Sequence, residues 1–336
     1  MLPDRQVHRL VATKAKARSV GMAAIGLKEA LHAGWRWLVE HARGNVPAGP
    51  RLPPPSANRE PLRPLERVVL TDAVARRLFD DFAAHRATPR GDEEIGWMIV
   101  GLRSGAEAVI QGLLPAGSMR DAGVAHVEFN REAYGVAIKF LRQRNPLLDL
   151  LGVVHTHPGS LRHPSEGDWH GDSRWVGKLR GREGIFGIGT ADARGADGFI
   201  AQPSPHRQVR GPLTFSWYVL RHGERRYRTT PISITLGDDV AAPLQRCWES
   251  VEQHAIPLER LFRQQVGFTM EELELDGQSV LSARLPLVEP ARSLRIVIDR
   301  DDVRWYLEED DRLTAIRPAP GPLDRNAYAI LAKLAE

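Results

Sequence analysis

Hydrophobic and polar positions predict alternating strands and helices through the middle of the chain. An apolar run at 67–70 predicts a short strand, and Val74, Leu78 and Phe82 recur every four residues, as on the buried face of a helix. A second helix is predicted over 131–143. Further strands are predicted at 93–101, 107–114, 125–129, 150–154 and 184–190, and a closing hairpin at 213–220 and 226–235.

The residues that precede this region divide into a basic arm and a linker. The pattern of residues 1–43 predicts a helix. This arm contains eight Lys and Arg residues and three Asp and Glu residues, so the net charge of +4 comes from it. We expect the arm to dock on the main domain or on a protein partner, with a membrane-surface or nucleic-acid role as the alternative. Residues 44–65 contain seven prolines, which predicts an extended linker.

The pattern changes after residue 236, and no motif in 237–336 carries recognisable chemistry. We expect this region to form an accessory α+β domain. The elements predicted in it are a helix over 240–266, which Pro257 should break, strands at 294–298 and 303–307, and a short helix at 326–334.

A single cysteine, Cys247, precludes an intrachain disulfide and fits a reducing compartment, so we expect a cytoplasmic protein. We interpret Cys247 as a buried small residue rather than a nucleophile. Neither a membrane span nor a secretory leader is predicted, because the apolar stretch at 20–27 is short and interrupted by glycines.

The candidate chemistry lies where the strand at 150–154 ends. His155 and His157 are two residues apart, so their side chains share one face of the strand and can share a metal ion. Pro158 ends the strand, and the loop after it leads to Asp168, whose carboxylate would be a third ligand. Three protein ligands are typical of a catalytic zinc ion that keeps a fourth position for water.

The same residues also have a purely structural interpretation. Ser165 and Asp168 are spaced as the cap and the third residue of a helix that would continue through Trp175 and Leu179, and both interpretations can hold together. His163 and His170 lie close to the motif but off its spacing, and we interpret them as loop or supporting residues.

The sequence His155-x-His157-Pro158, then six residues, then Ser165-x-x-Asp168 resembles the JAMM (MPN+) metalloprotease signature at every defined position. The resemblance implies an α/β (α+β) domain at 66–236 with a central mixed β-sheet flanked by helices, laid out as in cytidine deaminases. It also implies one zinc ion held by His155, His157 and Asp168. The expected activity is hydrolysis at the C-terminus of a ubiquitin-like protein, either in its conjugates or in its precursor.

The resemblance further assigns roles to two side chains. Glu94 would be the general base, because an acid begins the family's glutamate-bearing strand and a glycine, here Gly101, ends its apolar run. A competing register with Gly96 would select Glu93 instead. Ser165 would hydrogen-bond the oxyanion of the tetrahedral intermediate.

Other classes of protein remain open as alternatives. A non-catalytic MPN scaffold would lack the metal ligands that this chain has, and a JAB-type hydrolase could instead act on a sulfur-carrier protein. An amidohydrolase-type barrel would need the two histidines on its first strand and further histidines behind them. The expected partner is a ubiquitin-like protein or its conjugates, and no nucleic-acid partner is expected, although a nucleic-acid-binding protein would be the prediction from the basic arm alone.

Overall fold

The computed structural model describes residues 61–117, 130–196 and 198–335, apart from 276, 290, 300, 301 and 311. The predicted arm at 1–43, most of the predicted linker and the predicted strand at 125–129 lie outside these residues. Among the described residues, no helix combines the length and the apolar character that crossing a bilayer requires.

Strands and helices follow one another along the described chain. The helices are α1 Asp72–Arg86, α2 Arg131–Arg144, α3 Glu166–Trp175, α4 Ala242–Arg246, α5 Trp248–Gln253, α6 Ala255–Gln264 and α7 Leu323–Ala335. The strands before α4 are β1 Arg67–Thr71, β2 Gly96–Ser104, β3 Glu107–Pro115, β4 Asp149–Thr156, β5 Glu183–Thr190, β6 Ala201–Ser204, β7 Arg207–Arg210, β8 Leu213–Arg221, β9 Arg228–Thr229 and β10 Ile232–Thr235. The strands after α6 are β11 Thr269–Leu275, β12 Gln278–Pro286, β13 Arg292–Ile298, β14 Val303–Glu309 and β15 Arg312–Ile316.

The first ten strands form one mixed sheet in the order β10-β1-β3-β2-β4-β5-β8-β7-β6, with β9 paired to β8. Strand β4 lies in the interior of this sheet, antiparallel to β2 and parallel to β5. The predicted central mixed sheet flanked by helices is therefore confirmed. Its order also gives β4 a neighbour on each side, so the residues at the end of that strand have a fixed position.

The predicted helical faces agree with the packing. In α1 the side chains of Val74, Leu78 and Phe82 are all buried, as their spacing predicts, and the ring of Phe79 meets that of Phe215 in β8 at 5.1 Å. Helix α1 thus covers one face of the sheet through an apolar stripe.

The predicted closing hairpin at 213–220 and 226–235 is only partly correct. Strand β9 pairs with β8, but β10 leaves that strand and pairs in parallel with β1 at the opposite end of the sheet order. Pro231 separates the two strands because it has no N–H to donate to a ladder, and its carbonyl instead accepts a hydrogen bond from Val68 N at 3.0 Å.

Helix α3 is shorter than predicted. It ends at Trp175 rather than continuing through Leu179, and two 3-10 turns, Val176–Lys178 and Arg180–Arg182, lead into β5. Gly181 is the middle residue of the second turn and has a φ of +75°, which is outside the helical region, so the chain must change direction there.

The predicted helix at 240–266 is three short helices, and the breaks fall at Cys247 and His254 rather than at Pro257. Pro257 is the third residue of α6. A backbone N–H in the first helical turn has no acceptor within the helix, so proline is tolerated there. The five-stranded antiparallel sheet that follows includes three strands, β11, β12 and β15, that the hydrophobic pattern did not predict.

The elements after residue 236 pack on helix α2. Tyr134 and Phe140 of α2 share an apolar cluster with Trp248 and Leu258 from the short helices and with Ile296 from the second sheet. The second face of the first sheet is therefore covered by α2 and by the C-terminal elements together.

A buried ion pair ties the start of the described chain to the sheet. Glu183 accepts hydrogen bonds from the Arg103 guanidinium at 2.7 Å and from Leu65 N at 2.8 Å, and the side chains of Arg103 and Glu183 are 2% and 1% exposed. The Arg228 guanidinium lies 2.5 Å from the other carboxylate oxygen of Glu183.

We expect Glu183→Ala to lower the free energy of unfolding by about 3–5 kcal/mol, because it leaves the charge of Arg103 buried without a partner. Urea denaturation would measure the loss. The matched control is Glu107→Ala, which removes the exposed pair with Arg67 and should cost about 1 kcal/mol or less. Equal losses in the two variants would contradict the expectation.

Candidate metal centre

The two histidines of the motif are held at the end of β4. His155 is paired with Gly96 of β2 and Ile188 of β5, and the backbone N–H of His157 donates to the carbonyl of Gly189 at 2.8 Å. Both side chains are buried, at 8% and 7% exposure, although imidazole is polar. Because the strand has neighbours on both sides, the two rings keep a fixed spacing on one face of the pleat.

The carboxylate of Asp168 is positioned by the start of helix α3. Ser165 is the N-cap residue, and its hydroxyl oxygen accepts from Asp168 N at 3.2 Å while Ser165 N donates to Asp168 Oδ2 at 2.5 Å. This reciprocal pair is a capping box, so the predicted helix start at Ser165 is confirmed. The cap also fixes the orientation of the carboxylate.

The three side chains meet in one small volume. Their nearest donor atoms all lie within 4.8 Å of one another. The two Nε2 atoms are 3.1 Å apart, and they lie 3.1 Å (His155) and 3.4 Å (His157) from the carboxylate oxygens of Asp168. In the part of the chain that the structure describes, this is the one such group of His, Cys, Asp or Glu residues.

A backbone contact sets the tautomer of His157. Its Nδ1 lies 2.7 Å from the carbonyl oxygen of Leu161, which can only accept, so Nδ1 carries the proton. In the neutral ring the lone pair is then on Nε2, which faces His155 and Asp168. Metal-binding histidines are commonly oriented by such a hydrogen bond from the other ring nitrogen.

The electrostatics of the cluster favour a positive charge. Burial opposes the ionised form of Asp168, but hydrogen bonds from His155 and His157 outweigh it and hold the pKa of Asp168 well below its usual range. For His157, burial lowers the pKa, yet the hydrogen bonds with Asp168 and Leu161 and the charge of Glu94 raise it overall. Two imidazoles and an ionised carboxylate could hold a divalent metal ion.

Glu94 and Ser165 line a cleft of about 1050 Å³ together with the three clustered side chains. The neighbouring Glu93 turns away, and its carboxylate lies 2.5 Å from the guanidinium of Arg90. Strand β2 begins only at Gly96, so both acids lie just before the strand instead of within it. The role of Glu94 as general base remains a prediction.

Two residues at the site, Asp172 and Tyr227, were not predicted from the sequence. Asp172 lies one helical turn after Asp168 and also lines the cleft. Its carboxylate accepts from the hydroxyl of Tyr227 at 2.7 Å and from Trp175 Nε1 at 3.2 Å, and burial raises the pKa of Asp172 to about 6. The spacing of four between the two aspartates could have indicated Asp172, but nothing in the sequence connects it with Tyr227.

The two off-motif histidines lie outside the cluster. His163 is exposed and its Nδ1 lies 3.1 Å from the carbonyl oxygen of Pro164, whereas the His170 ring contacts the carbonyl oxygen of Glu166 at 2.8 Å. They therefore serve as controls for experiments on the clustered pair.

Comparison with protein families gives a match for the part of the chain that holds the site. Residues 75–201 match the family model described as prokaryotic homologs of the JAB domain. This region is a JAB-type domain. The match spans Glu94, both clustered histidines, Ser165 and Asp168. JAB-type domains include hydrolases and non-catalytic scaffolds, so membership alone leaves the activity open.

Among solved structures, this chain is similar to protein DSY2949 from Desulfitobacterium hafniense, whose solution structure is known. The similarity covers 51% of this chain and 94% of that chain, at 16% identity and a TM-score of 0.34. At these values the likeness supports no argument about function. No curated protein matches the chain.

Proposed function

We propose that this chain is a zinc-dependent peptidase or isopeptidase that hydrolyses the bond at the C-terminus of a ubiquitin-like protein. The observation that carries the proposal is the convergence of His155, His157 and Asp168 at one end of a cleft that Glu94 and Ser165 also line. A scaffold that only binds partners has no use for three buried or half-buried ligands and an adjacent acid.

Zinc fits this set of donors better than a harder cation. Two imidazole nitrogens and one carboxylate are typical zinc ligands, whereas magnesium and calcium prefer oxygen atoms throughout. Three protein ligands also leave a position for water, which a structural site with four ligands would not. When bound, zinc supplies Lewis acidity and a water molecule of lowered pKa.

Proton transfer and hydrogen bonding to the substrate would come from side chains of the protein. The carboxylate of Glu94 would take a proton from the attacking water and pass it to the departing nitrogen, which leaves poorly as an anion. The oxygen of Ser165 accepts from Asp168 N, so its own proton can be donated to the carbonyl oxygen of the substrate as negative charge develops there. The Leu161 carbonyl keeps His157 in the tautomer that binds metal.

The proposal predicts that the purified full chain contains about one zinc ion, which elemental analysis would measure on protein never exposed to a chelator. Cleavage of a ubiquitin-like protein fused through its C-terminus to a reporter should stop with 1,10-phenanthroline and return when zinc is added. The control is 1,7-phenanthroline, which has the same rings but does not chelate. Protein without metal, or cleavage that both compounds leave unchanged, would contradict the proposal.

A further inference from the structure

We propose that the end of the cleft remote from the metal centre is a cationic subsite, formed by Lys178 and Arg180, that binds an acidic residue about six positions before the scissile bond. This inference rests on the proposed function, which puts the scissile bond at the metal centre. The substrate tail would then be selected for negative charge at one defined position.

The cleft follows β4 from one end to the other. Asp149 and Leu150 at the start of the strand line it, and so does His155 near the end. The six residue steps from Asp149 to His155 span roughly 20 Å at about 3.3 Å per step, and an extended peptide of about six residues covers the same distance.

Lys178 and Arg180 lie at the far end of this path. The turn that contains Arg180 leads directly into β5, which runs parallel to β4 with Gly152 opposite Ile185. The residues that enter β5 are therefore level with the start of β4, and the same turn packs against β4. Both residues line the cleft.

Charged side chains of both signs line the cleft. At the metal centre the lining includes three acids, Glu94, Asp168 and Asp172. Besides Lys178 and Arg180, the lining includes two further cations, Arg131 and Arg142, and an ion pair with Asp149 offsets the charge of Arg142.

Neither Lys178 nor Arg180 has an ion-pair partner among the described residues. Lys178 is exposed and Arg180 half-buried, so both charges are available to a ligand. These two cations would attract a negatively charged residue of a substrate tail and would repel a positively charged one. The cleft therefore favours an acidic tail over a basic one.

Between the two ends, the floor of the cleft is apolar. Met98 and Leu150 are partly exposed, and Leu179 projects from between the two cationic residues. Because water can reach these side chains, an extended tail that covered them would gain from burying apolar surface. The expected tail thus combines apolar residues in its middle with an acid about six positions from its end.

Peptide binding to the full-length Glu94→Gln variant tests the subsite without relying on cleavage. Two alanine-rich peptides with an uncharged N-terminal dye and a C-terminal amide would differ only in Glu or Lys at the sixth position from the end, and anisotropy would report binding. We expect the Glu peptide to bind about tenfold more tightly. Adding Lys178→Glu and Arg180→Glu should reverse this preference, and the control pair Arg174→Glu and Lys333→Glu, with the same change in net charge outside the cleft, should leave it intact.

Equal binding of the two peptides, or a preference that the reversed charges leave unchanged, would overturn the subsite. The results that would contradict the proposed function differ from those that would contradict the subsite. If the wild-type chain cleaves a ubiquitin-like fusion whatever the charge at that position, only the subsite is wrong. If the charge preference holds and no fusion is cleaved, the cleft binds an acidic tail and the hydrolase is wrong.

A steric variant tests whether the peptide occupies this cleft at all. Gly171 lies in helix α3 and lines the cleft, and a Cβ atom added there meets no atom within 4 Å. Gly171→Leu therefore adds a side chain at the lining of the cleft, where its Cβ atom meets no neighbour, and leucine favours helix more than glycine does. We expect weaker binding of both peptides, by about tenfold or more, at an unchanged or higher melting temperature. Undiminished binding would mean that the peptide lies elsewhere and would overturn the subsite.

Discussion

Glu94→Gln is expected to lower the rate of bond cleavage by about two to four orders of magnitude, which is the usual effect of losing a general base. The zinc content should stay at the wild-type level, because Glu94 lies outside the group of three donors that could hold the metal. Substrate binding should also persist, because glutamine has nearly the same shape as glutamate. Single-turnover cleavage of the ubiquitin-like fusion, with zinc measured on the same samples, would separate these effects.

The matched control is Glu93→Gln, which makes the same chemical change one residue earlier. Glu93 is paired with Arg90, so its loss should remove only a partly exposed ion pair and leave activity close to wild type. If Glu93→Gln were inactive and Glu94→Gln active, the assignment would move back by one residue. Full activity in both variants would mean that neither acid is the base.

His157→Ala is expected to lose metal and activity together. Removing a hydrogen bond that merely supports a metal ligand costs about 10–100-fold in affinity, so the loss of the ligand itself should cost more than about 100-fold. Zinc titration followed by elemental analysis would measure the affinity, and cleavage of the fusion would be assayed at each zinc concentration. Activity should not recover at zinc concentrations that saturate the wild-type chain.

His163→Ala provides the comparison for this variant. It removes an imidazole from the same loop region, but His163 is exposed and lies outside the cluster, so zinc and activity should both remain near wild type. Full zinc content in His157→Ala would show that the ligand assignment is wrong. Equal losses in both variants would point to damage of the loop rather than loss of a ligand.

The histidine pair and the cap at Ser165 were predictable because both depend on local geometry. The alternation of a strand puts His155 and His157 on one face whatever the rest of the fold does. The spacing of Ser165 and Asp168 is that of a helix cap, and the hydrogen bonds of the cap form between residues three apart. Interactions between residues this close in the sequence can be predicted from the local pattern of residue types.

The choice between Glu93 and Glu94 depends on contacts that the sequence pattern does not contain. The pattern predicts a strand that begins at Glu93, whereas β2 starts two residues after Glu94. The orientation of each acid instead depends on its surroundings. Glu93 forms an ion pair with Arg90, and Glu94 lines the cleft that α2, β4 and α3 form. Side-chain direction in a segment outside regular structure follows from such contacts rather than from periodicity.

The sequence by itself determined the helical faces, the strand that carries the histidines and the start of α3, because periodicity and capping act within a few residues. Only the tertiary structure decided that β10 joins β1, that Tyr227 reaches Asp172 across 55 residues, and that Lys178 and Arg180 line the same cleft as β4. These features depend on which strands become neighbours. Strand pairing is set by the packing of the whole chain, since an apolar run has the same pattern next to any partner.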